Sequence, residues 1–194
     1  PATPHFDCIP LAWVAEQPSP ALEQAARGWL SREQPAAALL GASHLLPTAA
    51  RPDAVARLRR LSAHGDRRIA LLATAQLWRT AMATADKSEV DTWESVFEQI
   101  PESLRAGPYF VLGQARARLG QWEEAALALL RTPILYPHER KLAAAALVDA
   151  GRVLSRLGRR AKAARLYREV LQTYPEQSRA AAEARHRLET LSQE

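Results

Sequence analysis

Apolar residues recur along this chain at intervals of three and four, the spacing of helices with one buried face. Leu22, Ala25, Ala26, Trp29 and Leu30 form the first such stripe. Ser19-Pro20 precedes them and supplies a capping hydroxyl and a proline at the first helical position, where no N–H is needed. The helix is expected to run to about Glu33. Gln34-Pro35 opens a second helix on Ala38, Leu39, Ala42, Leu45 and Leu46, closed by Pro47. Arg51–Ala63 predicts a third, on Val55, Leu58 and Leu61, stopped by His64-Gly65. Asp66 caps a fourth, strongly apolar one that carries Ile69, Leu72, Ala73, Gln76, Leu77, Trp78 and Thr80. After a break at Asp86–Ser88, where Ser88-x-x-Asp91 reads as a capping box, Val90, Trp93, Val96, Phe97 and Ile100 form a fifth stripe that Pro101 ends. A last helix, Ser178–Ser192, has Ala181, Ala184, Leu188 and Leu191 on one face and charged residues elsewhere. Alternating or β-branched runs are missing, so no sheet is expected.

Between Tyr109 and Pro175 one pattern is written twice. The first copy is Tyr109-x-x-Leu112-Gly113-x-x-Arg116, then Leu119-Gly120, Ala125-x-x-x-Leu129 and Pro137. The second is Leu147-x-x-Ala150-Gly151-x-x-Leu154, then Leu157-Gly158, Ala163-x-x-x-Tyr167 and Pro175. Matched positions lie 38 residues apart (151 minus 113, 158 minus 120, 175 minus 137). Each copy predicts two helices. Gly113 and Gly151 fall mid-helix, where glycine costs roughly 1 kcal/mol relative to alanine, which points to a close contact between helices. Ala125 and Ala163 are the small residues expected to face them. Gly120 and Gly158 are expected to adopt the left-handed conformation that ends a helix. Pro137 and Pro175 end the second helix of each copy.

This pattern resembles the tetratricopeptide repeat, which runs W-x-x-L-G-x-x-Y, A-x-x-x-F, P over about 34 residues. The copies here are longer by about one helical turn, placed at His138–Ala143. Tyr136-Pro137-His138-Glu139 and Tyr174-Pro175-Glu176-Gln177-Ser178 are similar to the lengthened repeats of bacterial envelope adaptor proteins. The resemblance implies an all-α fold: a right-handed α-solenoid of antiparallel helix pairs, about nine helices, with an extended N-terminal arm. Residues 1–19 are then a Pro-rich arm and 20–194 a single helical domain. Within it, 20–100 hold divergent helix pairs, 101–175 the two recognisable repeats and 176–194 a polar capping helix of the kind solenoids need. The envelope likeness also points to a bacterial periplasm.

The arm carries Pro1, Pro4, Pro10, Pro18 and Pro20, a density that forbids a regular helix. Phe6, Cys8, Ile9, Leu11, Trp13 and Val14 give it an apolar side, expected to pack along the first helices as a cap. Cys8 is the single cysteine, so no intrachain disulfide can form. The alternative role for Cys8, lipid or thiol attachment, lacks the small apolar residues that precede a lipidated cysteine. A start at Pro1 instead of Met reads as a processed or trimmed piece, which leaves open an auxiliary domain of a larger enzyme.

Net charge is +5, and of 26 basic residues only Lys87, Lys141 and Lys162 are lysine. Arginine suits bidentate recognition of carboxylate or phosphate, although the matching excess of alanine also fits a codon bias. Charge is uneven: Asp86–Glu102 is acidic, while Arg51–Arg68 and Arg140–Arg168 are basic. Arg159, Arg160, Lys162, Arg165 and Arg168 would attract nucleic acid. The scarcity of aromatics nearby and the lack of a nucleic-acid-binding motif argue against that partner.

No catalytic constellation stands out. His5, His44, His64, His138 and His186 are scattered singly, Glu123-Glu124 belong to the solvated start of a helix, and there is no phosphate loop or nucleophile elbow. No cofactor, metal or enzymatic activity is expected, and no segment is apolar enough to cross a membrane. The function expected is a protein-binding scaffold. In the resembled family the first helix of each pair lines the concave surface. By register this places Phe110, Gln114 and Arg118 in the first copy, Val148, Arg152, Ser155 and Arg156 in the second, and Arg187 in the last helix. Such a groove could grip a carboxylate or acidic peptide through charge-assisted bonds. The carboxylate-clamp members of the family use Lys and Asn there, and this chain has no Asn.

Overall fold

The computed structural model describes residues 10–193. The described residues form ten α-helices and one short 3-10 helix, with no strand, against the nine or so helices expected. Within each compact unit, consecutive helices pack on one another, consistent with an α-solenoid. The chain divides into two compact units, one ending at Ala81 and the other beginning at Met82. Phe6, Cys8 and Ile9, with the cap and attachment roles expected of them, lie outside the described residues.

The first unit holds α1 (Pro20–Leu30), α2 (Pro35–Leu45), α3 (Arg51–Leu61) and α4 (Arg67–Ala81). Ser19 caps α1 as its sequence predicts, its Oγ accepting the Leu22 N–H at 3.3 Å. Helix α2 is buried nearly all round, from Ala37 to Ser43 and at Leu45. Its Gly41 explains how tightly it seats: a Cβ there would lie 2.5 Å from the Ala26 carbonyl and 2.6 Å from the Leu30 nitrogen. Two backbones therefore touch at this point, which only glycine allows. Besides its neighbours in sequence, α2 touches α4.

The second unit holds α5 (Lys87–Phe97), the 3-10 helix (Glu102–Leu104), α6 (Ala106–Arg118), α7 (Trp122–Leu135), α8 (Arg140–Arg156), α9 (Arg160–Thr173) and α10 (Ser178–Gln193). The capping box of α5 is not Ser88–Asp91 but Asp86–Glu89: Asp86 Oδ1 accepts the Glu89 N–H at 2.9 Å and Glu89 Oε2 the Asp86 N–H at 3.3 Å. Asp is as good a cap as Ser, and starting the helix two residues earlier puts Val90, Trp93 and Phe97 inward. The helix stops at Phe97, short of the expected Ile100. Arg105 takes over there, donating to the carbonyls of Ile100 (2.7 Å) and Glu98 (3.0 Å).

The 38-residue period is visible in the elements themselves. Helices α6 and α8 end at Arg118 and Arg156, and α7 and α9 match at both ends. Helix α6 has 13 residues and α8 has 17, so the extra turn sits at the start of α8, within the segment expected. Gly120 and Gly158 have φ of 75° and 71° and are the positive-φ residues of the described chain. The tight contacts at Gly113 and Gly151 exist, but the facing residue is not the small one. A Cβ on Gly113 would meet Leu129 Cγ at 2.6 Å, and one on Gly151 would meet Tyr167 Cε1 at 2.4 Å. Glycine here makes room for a large side chain rather than pairing with alanine. Helices α6 and α8, and likewise α8 and α10, also touch each other across the intervening helix. Helix α7 leaves Leu127 and Ile134 65% and 71% exposed.

Candidate functional site

The row formed by α6, α8 and α10 carries a polar cluster centred on Asp149, at the middle of α8. The Asp149 side chain is only 13% exposed. Its Oδ2 accepts from Gln114 Nε2 of α6 at 2.7 Å, and its Oδ1 lies 3.1 Å from Arg152 Nη2, three residues on along α8. Burial raises the Asp149 carboxyl above its ordinary value; Arg152 and Gln114 work against that shift, and Glu183 of α10 adds to it. Glu183 in turn accepts from Arg187 Nε at 2.8 Å, one helical turn away. Tyr167 of α9 lies against the same group. Its ring fills the space that Gly151 leaves, and its buried hydroxyl makes no hydrogen bond of ordinary geometry. Burial raises its pKa, with Ser155, Arg187 and Arg152 acting in the opposite sense and Glu183 in the same. Three helices thus deliver two carboxylates, two guanidiniums and an amide to one place, with a phenol from a fourth.

Of the residues that the sequence placed on a binding surface, Gln114, Arg152, Ser155 and Arg187 come together here. Gln114 and Arg152, one period apart, both reach Asp149. Ser155 donates to the Gly151 carbonyl at 3.0 Å. The other four are placed differently. Phe110 and Val148 are 1% and 5% exposed, so the packing holds them inside rather than on a surface. Arg118 donates to the Ala85 carbonyl, and Arg156 is exposed on the last turn of α8. Asp149, Tyr167 and Glu183 are members that the sequence did not disclose. A signal existed for Asp149: a lone acid among Leu147, Val148, Ala150 and Val153 on a helix whose neighbours are all buried.

The basic residues Arg159, Arg160, Lys162, Arg165 and Arg168 are all exposed, at the start of α9 and along it. Among the described residues no three His, Cys, Asp or Glu side chains are placed to hold a metal ion, and no helix is long and apolar enough to cross a membrane. Comparisons with protein-family models, with curated proteins and with solved structures find no match to this chain.

Proposed function

We propose that this chain is a non-enzymatic protein-interaction module of the tetratricopeptide type. In this reading it is a right-handed α-solenoid of antiparallel helix pairs. Its helices α6, α8 and α10 line a concave groove that takes an acidic peptide or a segment of a partner protein.

The observation that carries this reading is the half-buried cluster at Asp149. Packing between helices is served by apolar side chains, and drawing several polar ones out of water costs free energy unless they are matched. Here the two carboxylates and the amide are matched with donors to spare, the Tyr167 hydroxyl excepted. A guanidinium has about five N–H groups, more than one carboxylate can accept. Arg152 and Arg187, with side chains 50% and 41% exposed, keep donors turned to solvent for a second carboxylate. The contacts of α6 with α8 and of α8 with α10 support the same reading, since an inner row of helices lies closer together than an outer one in a curved stack.

A displayed library of random peptides, selected on the full chain and on an Arg152→Ala/Arg187→Ala variant, tests this. Acidic peptides should enrich on the parent chain and fail to bind the variant, while circular dichroism shows both folded. Failure to enrich, or enrichment equal on both, overturns the reading. A labelled DNA duplex at low salt serves as counter-probe. The basic face at the start of α9 favours that second reading, and binding there without peptide binding would establish it in place of the first.

A further inference from the structure

In the first unit the segment Pro10–Gln17 has neither helix nor strand and lies against α2 and α4. Ala12 is held at both of its main-chain groups. Its N–H donates to Ser43 Oγ at 3.0 Å, and its carbonyl accepts from Gln76 Nε2 at 3.1 Å and Arg79 Nη1 at 2.7 Å. The same Arg79 nitrogen reaches the Ser43 carbonyl at 3.1 Å and Gln76 Oε1 at 2.6 Å. Ser43 and Gln76 are completely buried. At the segment's two ends, His44 Nε2 shares a hydrogen bond with the Pro10 carbonyl (3.3 Å) and Gln17 Nε2 donates to the Pro47 carbonyl (2.5 Å).

This is the way a receptor holds a peptide. Ala12 has both main-chain groups bound by side chains, the N–H by one of α2 and the carbonyl by two of α4, and the segment turns just after it, where Glu16 N–H donates to the Val14 carbonyl at 3.0 Å. Ser43 and Gln76 are buried and Arg79 is partly so, and Arg79 ties the Gln76 side chain to the Ser43 carbonyl. The side chains of the bound segment count for less: Leu11, Trp13 and Val14 are only part-buried. Burial, and then the charge of Arg51, push the Arg79 guanidinium down to about 10. All three of its acceptors are neutral oxygens. A buried cation bonded in this way serves as a fixed donor aimed at a carbonyl. The segment joins α1 through Pro18, Ser19 and Pro20, a short connection whose two prolines stiffen it.

We propose that the α2–α4 face is a second peptide site, distinct from the cluster at Asp149, that binds the main chain of a non-helical segment; residues Pro10–Gln17 occupy it in cis and exchange with a second copy of that segment supplied in trans. The chemistry it recognises is one residue's N–H and carbonyl presented together, so the ligand is a non-helical stretch of polypeptide of the Pro10–Gln17 kind, with a small residue at the central position.

The test uses an Ala12→Pro variant of the full chain, which removes the N–H that Ser43 accepts and loosens the segment. The probe is a labelled peptide of the sequence Pro10–Gln17. In the parent chain the tethered copy competes at an effective concentration on the order of millimolar, so the peptide should bind Ala12→Pro at least about tenfold more tightly than the parent. Adding Ser43→Ala to that variant removes one hydrogen bond to the probe and should weaken it about fivefold. Absence of binding to a folded Ala12→Pro chain, or equal binding to parent and variant, overturns the proposal. If Ala12→Pro does not fold, amide exchange in the parent decides. An exchangeable segment must release the Ala12 N–H by local opening, faster than the amides of α2 and α4. An Ala12 amide that exchanges only with global unfolding refutes the proposal.

Discussion

The two units put their arginines to different use. In the first, Arg79 is largely buried and bonded to three neutral oxygens, one of them on a distant segment of the same chain. In the second, Arg152 is half-exposed and paired with a carboxylate of its own helix. Both sets of polar groups lie on helices that touch across an intervening one: α2 with α4, α6 with α8, and α8 with α10. The same layered helical plan can therefore hold polar groups inward, as donors fixed on a backbone, or outward, as charges only partly used. What decides between them is how deep the guanidinium sits and whether a carboxylate stands within one turn.

The largest effect is expected from removing the buried cation. Arg79→Ala strips a donor from the Ala12 and Ser43 carbonyls and from Gln76 Oε1, and leaving buried acceptors unmatched should cost about 3 kcal/mol in urea unfolding. Arg152→Ala removes a half-exposed guanidinium and leaves the buried Asp149 carboxyl held by Gln114 and able to take up a proton, so it should cost less, about 1 kcal/mol. Equal costs would erase the distinction between the units. The glycines sharpen it further. Gly41→Ala drives a methyl into the backbone of α1, which cannot give, and should destabilise by about 3 kcal/mol. Gly151→Ala meets the Tyr167 ring, which can shift a little, and should cost about 2 kcal/mol. The smallest effect is a pH dependence. Asp149 has a folded pKa above its ordinary 3.8, raised by burial and by Glu183 against the pull of Arg152 and Gln114. Its raised value means that charging it opposes folding, so its contribution is lost as pH rises through the folded pKa. As pH rises above that ordinary value the parent should therefore lose stability relative to Asp149→Asn, until the folded-state carboxyl is ionised. A parent that gains on the variant over that range would show that Arg152 outweighs burial.

Much of the fold was legible because glycine and proline act through their own backbones. Gly120 and Gly158 stop helices wherever they stand, and a 38-residue offset between them needs no knowledge of the packing. What filled the gaps was not legible. The sequence marks that Gly113 and Gly151 leave room, but which side chain enters depends on the axial offset of two helices, and Leu129 and Tyr167 lie one turn beyond the alanines. The register that gathers Gln114, Arg152 and Arg187 could be counted along the helices, whereas Phe110 and Val148, on the same helices, turn into the core. Asp149 offered only the oddity of a charge among apolar neighbours. The seat of Ala12 was the hardest to foresee, since Arg79 lies 67 residues away. Its trace was Gln76, a polar residue in an apolar stripe.

The two turns at Gly120 and Gly158 have one further consequence, and it concerns heredity rather than folding. The following N–H, of Gln121 and of Arg159, bonds back to the carbonyl five residues earlier in each case, at 3.0 and 2.8 Å. Excising residues 121–158 would join Gly120 to Arg159 across a turn of unchanged geometry, and duplicating them would add a helix pair in the same way. A gene for such a chain that lost or gained one whole unit would keep this turn at the junction.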